Sequence, residues 1–291
     1  WVFYFRFVAM LTYTEQLTQL IANGLAEDIG DGDHSTLSCI PPDARGKAVL
    51  KIKESGILAG VDVAEKVFLY KDPSSVINKL MVDGQIIQEN EMAFQVESSM
   101  QTILSAERLV LNIMQRMSGI ATLTAIYADK LTGYKTKLLD TRKTTPNFRL
   151  LEKEAVRIGG GYNHRMGLYD MIMLKDNHID FAGGLQYAIE KARAYLREKN
   201  LGLKIEVETR NLDEVREVME IGMVDRIMLD NFEIADLREA LKIIQGRFET
   251  EASGGINLEN IRHYADTGVD FISAGALIHQ AKSLDLSLKA R

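Results

Sequence analysis

The sequence predicts an α/β protein in which a first α+β domain precedes an incomplete α/β barrel. From residue 136 onward, short apolar runs alternate with amphipathic helical segments, which is typical of parallel strands with right-handed crossovers. Polar residues follow each of these apolar runs. Before residue 118, strand and helix patterns mix less regularly. We therefore predict a first domain at 13–117 and a barrel domain at 118–291, with residues 1–12 as an extension.

The composition is that of a soluble globular protein. The chain has 291 residues, of which 46% are hydrophobic and 26% are charged, and its net charge is −6. A general nucleic-acid or membrane surface would need a basic excess, so the acidic balance disfavours both. The single cysteine, Cys39, forbids an intrachain disulfide and fits a reducing compartment. We see no segment of transmembrane length and expect a cytoplasmic protein.

The chain begins with the apolar and aromatic run WVFYFRFVAMLTY at 1–13. This run is too short to span a bilayer, and no basic stretch precedes it as in a signal peptide. We assign it no function.

Local periodicity predicts the elements of the first domain. Residues 14–26 have helical spacing, and EDIGDGDHST at 27–36 is an acidic loop with two glycines. Residues 47–60 read as a strand, a turn and a strand, and 61–70 as an amphipathic helix. Residues 75–99 contain strands joined by a turn and a polar loop.

A longer helical pattern covers 105–131 and is interrupted at Ser118-Gly119. This interruption favours a domain boundary at that point.

Six apolar runs of the second domain have the length of buried strands. They lie at 137–140, 170–175, 203–208, 225–230, 247–253 and 270–275. The predicted helices lie at about 147–158, 182–198, 211–221, 233–245 and 257–267. Several runs lack polar alternation, as expected of parallel strands buried on both faces. Polar groups close every run, which favours a barrel mouth, where all strand ends converge, over a doubly wound sheet.

Basic residues from three segments meet at the predicted mouth. They are Arg142, Lys143, His164, Arg165, Lys175 and His178. An arginine offers a bidentate fork to carboxylate or phosphate, whereas a lysine offers a mobile point charge. We predict a shared anion site for a ligand with more than one kind of anionic group.

Two glycine turns follow the last two predicted strands. ASGGIN at 252–257 and SAGALI at 273–278 place glycine between a strand and a helix start. Backbone N–H groups at such a position bind phosphate, and the loops after a barrel's last strands are a usual phosphate site. The turns predict a phosphate cradle, although a tight turn alone would also use glycine.

Two carboxylates, Glu208 and Asp230, end the strands between these groups. They could hold Mg2+ directly or through water, stabilise developing positive charge, or balance the nearby cations. The sequence has no His/Cys cluster with zinc spacing. We expect His263 and His279 to be structural, and the pattern alone does not separate Arg108 from an ordinary helix-surface residue.

Six segments resemble the quinolinate phosphoribosyltransferase family. They are EDIGDGDHST, AERLVLNIMQRMSGIAT, LLDTRKTTPNFRLLEKEAVRIGGGYNHRMGLYDMIMLKDNH, IEVET, IMLDNF and EASGGINLENI. The resemblance covers nearly all of residues 14–280 and is most specific at 138–178.

The resemblance implies an N-terminal α/β sandwich and a TIM-like barrel of about six to seven strands. It implies that quinolinate and phosphoribosyl pyrophosphate give nicotinate mononucleotide, pyrophosphate and CO2 with Mg2+, in NAD biosynthesis. It also implies a homodimer or higher assembly in which Arg108 reaches the barrel mouth of the other subunit. It implies neither a nucleic-acid nor a membrane partner.

The resemblance further implies roles for the matching residues. Arg142, His164 and Arg165 would hold the quinolinate carboxylates. The residues implied in catalysis are Lys143 and Lys175, near the pyrophosphate and the reacting carboxylate, and Glu208 and Asp230, near the ribose and metal. The residues implied at the 5′-phosphate are Ser253, Gly254, Gly255, Gly275 and Ala276. Thr141 and Ser273 complete the implied substrate-binding set.

Three other functions stay open from the residues. A sibling phosphoribosyltransferase of the same fold would use another acceptor. A Schiff-base aldolase or decarboxylase would use Lys175 as its nucleophile, but would leave the many anion-binding groups unexplained. A catalytically silent relative would bind a phosphosugar and regulate another process, but the carboxylates and lysines that it would lose are all present.

Overall fold

The computed structural model describes residues 11–291, which form two compact units. The first unit comprises the described residues up to Gly119 together with 145–155 and 282–291, and the second comprises 120–144 and 156–281. Residues 1–10, most of the predicted extension, lie outside the described residues.

The strands are, in chain order, β1 (Arg45–Ile52), β2 (Gly56–Ile57), β3 (Val76–Lys79), β4 (Ile86–Ile87), β5 (Met92–Ser99), β6 (Lys137–Leu139), β7 (Ile172–Leu174), β8 (Ile205–Thr209), β9 (Arg226–Asp230), β10 (Glu249–Ser253), β11 (Phe271–Ser273) and β12 (Leu286–Ala290). The helices are α1 (Tyr13–Ile29), α2 (His34–Cys39), α3 (Val61–Lys71), α4 (Met100–Lys130), α5 (Arg149–Ile158), α6 (Asp176–Ala182), α7 (Leu185–Lys199), α8 (Leu212–Ile221), α9 (Ile234–Ile244), α10 (Ile261–Ala265) and α11 (Ala276–His279).

The body of the first unit is a four-stranded antiparallel sheet in the order β12-β1-β5-β3. Helix α3 contacts both β5 and α1. Phe68 of α3 meets Phe94 of β5 edge to face, with 6.2 Å between the ring centroids, and both rings are fully buried. Helices therefore cover an antiparallel sheet, which confirms the predicted α/β sandwich.

The segment predicted as an acidic loop is mostly helical. Helix α1 continues to Ile29, and α2 begins at His34. Asp33 caps α2, because its Oδ1 accepts a hydrogen bond from the backbone N–H of Thr36 at 3.1 Å. The glycine and aspartate signal thus marks a short turn between two helices.

Helix α4 runs through Ser118-Gly119 without a break. The Oγ of Ser118 accepts a hydrogen bond from the backbone N–H of Ala59 at 2.9 Å, and the side chain is fully buried. A Cβ on Gly119 would lie 1.9 Å from the carbonyl oxygen of Lys282. The two small residues therefore allow other chain segments to approach the helix closely, and they mark packing instead of a helix end.

One described helix, α4, is long and apolar enough to cross a membrane by length and composition, contrary to our expectation that no segment would be. In the structure, 56% of its most apolar window is buried, and core helices of globular proteins pass the same test.

The last strand belongs to the first unit, although the sequence predicts that the barrel domain extends to residue 291. Strand β12 pairs antiparallel with β1, with Leu288 opposite Leu50. An alternating strand of only five residues carries no signal for the sheet that it joins, so the pairing partner was not predictable from the local pattern.

The second unit contains a six-stranded parallel sheet in the order β6-β11-β10-β9-β8-β7. Each predicted apolar run forms one of these strands. Strands β6 and β7 are the two edges, so the sheet is open. This confirms an incomplete α/β barrel with six strands.

Strand β7, Ile-Met-Leu, lacks polar alternation as the sequence predicts, but β8 and β9 carry charged residues beside aliphatic ones. Ile205, Val207, Ile227 and Leu229 are fully buried, Glu206 lies between the first two, and Arg226 precedes Ile227. Successive side chains of a strand point to opposite faces. One face of the sheet is therefore aliphatic, and the other carries charge even though it is buried.

Gly119→Ala should destabilise the protein by about 3 kcal/mol, because the new methyl group would overlap the backbone at Lys282. The measurement is urea unfolding. Gly202→Ala is the control, since nothing lies within 4 Å of its Cβ position, and should change the unfolding free energy by less than about 0.5 kcal/mol. Equal stability of the two variants would contradict the close approach.

Candidate active site

A cavity of about 760 Å³, here called the mouth pocket, lies at the carboxyl ends of the parallel strands. Its volume is that of a pocket for small molecules. The predicted residues that line it are Thr141, Arg142, Lys143, His164, Arg165, Lys175, Glu208, Asp230, Ser253, Gly254, Gly255, Ser273, Gly275 and Ala276. Arg108 lies exposed on α4 in the first unit.

Two arginines bring positive charge to the mouth pocket. The Nε of Arg142 is buried and has no hydrogen-bond partner among the described residues. Arg165 is 8% exposed and donates from one guanidinium nitrogen to the carbonyl of Met171 at 3.2 Å. Burial and repulsion from Arg142 lower the pKa of Arg165. Two neighbouring cations in this state favour an anionic ligand between them.

Asp140 anchors the loop that carries His164 and Arg165. Its buried carboxylate accepts hydrogen bonds from the backbone N–H of His164 at 2.9 Å and from the Nδ2 of Asn163 at 2.6 Å. Before this loop, a Cβ on Gly159 would lie 2.4 Å from the carbonyl oxygen of Ala121. The GGGYNHR segment thus needs glycine for close packing, and its polar residues for attachment to the end of β6.

Both ring nitrogens of His164 already have partners inside the protein. Nε2 lies 2.9 Å from Oε2 of Glu206 and 3.4 Å from Oε2 of Glu251. Nδ1 accepts a hydrogen bond from the backbone N–H of Arg165 at 2.7 Å. Burial lowers the pKa of His164, but the bonds to the two carboxylates outweigh it and raise the pKa to about 9.

The two glutamates beside His164 are fully buried and were not predicted as site residues. A guanidinium nitrogen of Arg226 donates to Oε2 of Glu251 at 2.9 Å. His164, Glu206 and Glu251 could by their positions hold a metal ion. Arg226 already supplies positive charge to Glu251, and His164 bonds directly to Glu206, so the cluster is organised without an ion.

Lys175, Glu208 and Asp230 form a second charged group at the mouth. The Nζ of Lys175 lies 3.3 Å from Oε2 of Glu208. Asp230 accepts a hydrogen bond from the Nδ2 of Asn231 at 2.6 Å. Burial raises the pKa of Asp230, against the opposing effects of Asn231, Lys175 and Lys143. These carboxylates present oxygen ligands to the cavity and are the residues that could hold Mg2+.

The glycine turns also line the mouth pocket. Gly254 has φ +97°, and a Cβ there would lie 2.2 Å from Oδ1 of Asn231. At Gly275, a Cβ would lie 3.0 Å from Cδ of Lys143 and 3.2 Å from the ring of His279. Only glycine therefore lets the backbone approach these side chains at Gly254.

His279, which we expect to be structural, lines the mouth pocket. Sequence reasoning also missed five polar lining residues, Asp140, Asn231, Glu251, Asn257 and Gln280. Asp140 and Asn231 directly follow strands β6 and β9, so position alone gave a signal for them. Glu251 lies inside strand β10, and only the charged face of the sheet in the structure identifies it as a site residue.

Gly254→Ala should weaken the binding of inorganic phosphate at least tenfold, because the methyl group would displace Asn231 and open the turn. Calorimetry measures the affinity. Gly246→Ala is the control, since Gly246 has a similar positive φ of +70° but nothing within 4 Å of its Cβ position. Equal phosphate affinity in the two variants would remove this turn from the anion site.

The raised pKa of His164 makes stability depend on pH. Because the folded pKa lies near 9 and the ordinary value is 6.5, the stabilisation is complete below pH 6.5 and is lost as pH rises through about 9. The full shift corresponds to roughly 3 kcal/mol. Urea unfolding at several pH values from 6 to 10 measures this loss, and a free energy that does not fall would show that the cluster holds no extra proton.

Comparison with known proteins gives two family matches that together span most of the chain. The N-terminal domain of quinolinate phosphoribosyl transferase matches residues 33–118, and its C-terminal domain matches residues 120–289.

Curated relatives cover nearly the whole chain. It is 45% identical to the chloroplastic nicotinate-nucleotide pyrophosphorylase (carboxylating) of Arabidopsis thaliana, over 95% of this chain and 83% of that protein. It is also 45% identical to a quinolinate phosphoribosyltransferase (decarboxylating) of Nicotiana tabacum, with the same coverage of both chains.

Solved structures with the same fold agree with the matches to curated relatives. NadC from Streptococcus pyogenes superposes with a TM-score of 0.88 at 39% identity, covering 97% of this chain and 99% of that one. The nicotinate-nucleotide pyrophosphorylase from Francisella tularensis has a TM-score of 0.87 at 40% identity, covering 97% and 98%.

Proposed function

This chain belongs to the quinolinate phosphoribosyltransferase family, and we propose that its mouth pocket binds both substrates of that reaction. The enzyme transfers the phosphoribosyl group of phosphoribosyl pyrophosphate to quinolinate with decarboxylation. The products are nicotinate mononucleotide, pyrophosphate and CO2, and the step belongs to NAD biosynthesis.

One observation carries the assignment of the site: a single cavity joins two buried or partly buried arginines to two glycine turns, and Nε of one arginine, Arg142, lacks a hydrogen-bond partner among the described residues. Quinolinate has two carboxylates, which match the forks of Arg142 and Arg165. The co-substrate has a phosphate at one end, which matches the backbone around Gly254 and Gly275. Ser253, Gly255, Ser273 and Ala276 would add hydrogen-bond donors there, and Thr141 would bind beside Lys143.

The reaction needs electrostatic stabilisation at two stages. The pyridine nitrogen forms a bond to C1′ of the ribose while the bond from C1′ to the pyrophosphate oxygen breaks. Glu208 and Asp230 supply negative potential to the positively charged sugar, and Lys143 and Lys175 neutralise the departing pyrophosphate. The C2–carboxylate bond then breaks, its electron pair stays on C2 beside the cationic ring nitrogen, and C2 takes up a proton.

We propose a role for His164 that differs from the role that the resemblance implies. The resemblance implies that it holds a quinolinate carboxylate, yet both of its ring nitrogens have partners inside the protein. We assign direct carboxylate binding to Arg142 and Arg165, and we give His164 the task of fixing Arg165.

Mg2+ fits the residues at the mouth. Glu208 and Asp230 end neighbouring strands, β8 and β9, and both line the cavity. Mg2+ is usually held by one or two carboxylates with substrate phosphates and water, and it would add positive charge beside the pyrophosphate. Glu208 and Asp230 would hold it directly or through water.

We propose that the working enzyme is a homodimer or a higher assembly. The resemblance implies that Arg108 reaches the mouth of a partner subunit, and the exposure of Arg108 on the first unit supports this proposal. The acidic chain favours neither nucleic acid nor a membrane as partner. Since Cys39 is the single cysteine and is free, we place the enzyme in a reducing compartment such as the cytoplasm.

Lys175 distinguishes the proposed reaction from a Schiff-base mechanism. A nucleophilic lysine must lose its proton, which a desolvated or cationic setting favours. Lys175 is instead half exposed and paired with Glu208. A sibling transferase with another acceptor is the nearer competitor, and the arginine pair argues against it because a monocarboxylate would leave one cation unpaired.

Arg142→Ala and Lys143→Ala should each lower kcat/KM for quinolinate at least a hundredfold, because each removes a charge that faces a substrate anion. The assay supplies quinolinate, phosphoribosyl pyrophosphate and Mg2+ and follows nicotinate mononucleotide and CO2 together, with nicotinate as a parallel acceptor. Arg238→Ala, an exposed arginine of α9, is the control and should leave the rate unchanged.

Equal amounts of the two products from quinolinate, and none from nicotinate, would support the dicarboxylate site. Near-normal rates in both site variants would refute the assignment. A borohydride-stable adduct on Lys175 would replace the proposed mechanism with the Schiff-base one.

A further inference from the structure

Four buried charged or titratable side chains form one cluster, here called the buried tetrad: His164 and Glu251, which also line the mouth pocket, and Glu206 and Arg226. We propose that Glu206, Glu251 and Arg226 are positioning residues, which fix the ring of His164 and through it Arg165 for binding of the substrate dicarboxylate. The proposal rests on the proposed function of the mouth pocket.

The tetrad is sealed from solvent and held at defined distances. Glu206 and Glu251 are fully buried, and His164 and Arg226 are each 8% exposed. Arg226 donates to Glu251 at 2.9 Å, and its guanidinium stacks 4.0 Å from the ring centroid of Phe271. The interior of a barrel is usually filled with branched aliphatic residues. Charge at this depth costs stability, so its presence calls for a function beyond packing.

The two carboxylates of the tetrad need positive charge and hydrogen-bond donors around them, because an uncompensated charge in a buried site is strongly unfavourable. Arg226 donates to Glu251 at 2.9 Å, and Nε2 of His164 lies 2.9 Å from Oε2 of Glu206. One oxygen of each glutamate, Oε1, has no hydrogen-bond partner within the described part of the chain. The ring of His164 is therefore held in place by the carboxylates that it serves.

His164 links the buried tetrad to the binding site, because Arg165 is the next residue and its backbone nitrogen lies 2.7 Å from Nδ1 of the ring. The carboxylates on Nε2 hold the ring against rotation. Loss of one carboxylate should free the ring and reorient Arg165, while the glycine turns remain in place.

Charged groups from several elements face His164. They are Asp140 at the end of β6, Glu206 on β8, Arg226 on β9, Glu251 on β10, and Arg165 and Arg142 on the adjoining loops. Glu206 bonds directly to Nε2 of His164, so its removal should lower the pKa of His164.

Glu206→Gln and Glu251→Gln test the proposal. Each should raise the KM for quinolinate about tenfold, leave the KM for phosphoribosyl pyrophosphate within twofold, and change kcat less than KM. The alkaline limb of the pH profile for quinolinate should move at least one unit lower. In protein with 13C-labelled histidine, the NMR titration of His164 should shift in the same direction.

Glu249→Gln is the matched control. Glu249 lies on the same strand and face as Glu251 and contacts Arg226 at 3.2 Å, but not His164. It should leave the quinolinate KM and the His164 titration unchanged. Thermal melting identifies any variant that fails to fold. If one of the two variants Glu206→Gln and Glu251→Gln fails to fold, the other one provides the test.

A parallel loss of affinity for both substrates, or an unshifted His164 titration in both variants, would overturn the proposal. The titration needs no substrate, so it decides the role of the tetrad even if the wild-type protein does not consume quinolinate. Absence of quinolinate turnover would refute the proposed function, and the titration alone would then test the role of the tetrad.

Discussion

The parallel sheet depends on burying charge in balanced sets. Its inner face carries carboxylates and cations at positions that barrels usually give to branched aliphatic residues, and Glu206 and Glu251 are fully buried there. Removal of one partner from such a set leaves an unpaired charge in a medium that solvates it poorly, which typically costs about 3–5 kcal/mol. The position of Arg226 between Glu249 and Glu251 is therefore a requirement of the fold as well as of the site.

The two faces of the same strands have different roles. Residues such as Val207 and Leu229 bury aliphatic surface, which supplies the main favourable contribution to folding. Glu208 and Asp230, one residue away, reach the mouth pocket. Because side chains alternate strictly along a strand, each polar end residue continues the row of charges below it. The binding site is in this sense the solvent-accessible end of the charged face.

The sequence predicts the order of elements and the members of the mouth pocket well, because both follow from local signals. Six short apolar runs became six parallel strands, and residues at their ends converge as barrel geometry requires. The failures concern contacts between distant residues. Ser118-Gly119 looks like a helix break until Lys282 is seen beside it, and Glu251 looks like part of a strand until Arg226 and His164 surround it. His279 is the last residue of the short helix α11 and lines the cavity, which its local pattern does not indicate.

The return of β12 to the first sheet has a consequence for biosynthesis. Strand β1 is translated before the parallel sheet, whereas its edge partner β12 is translated after it. Throughout synthesis of the parallel sheet, one edge of β1 has unpaired backbone groups, and such edges invite association with other chains. The first unit thus completes its sheet only after the parallel sheet of the second unit has been translated.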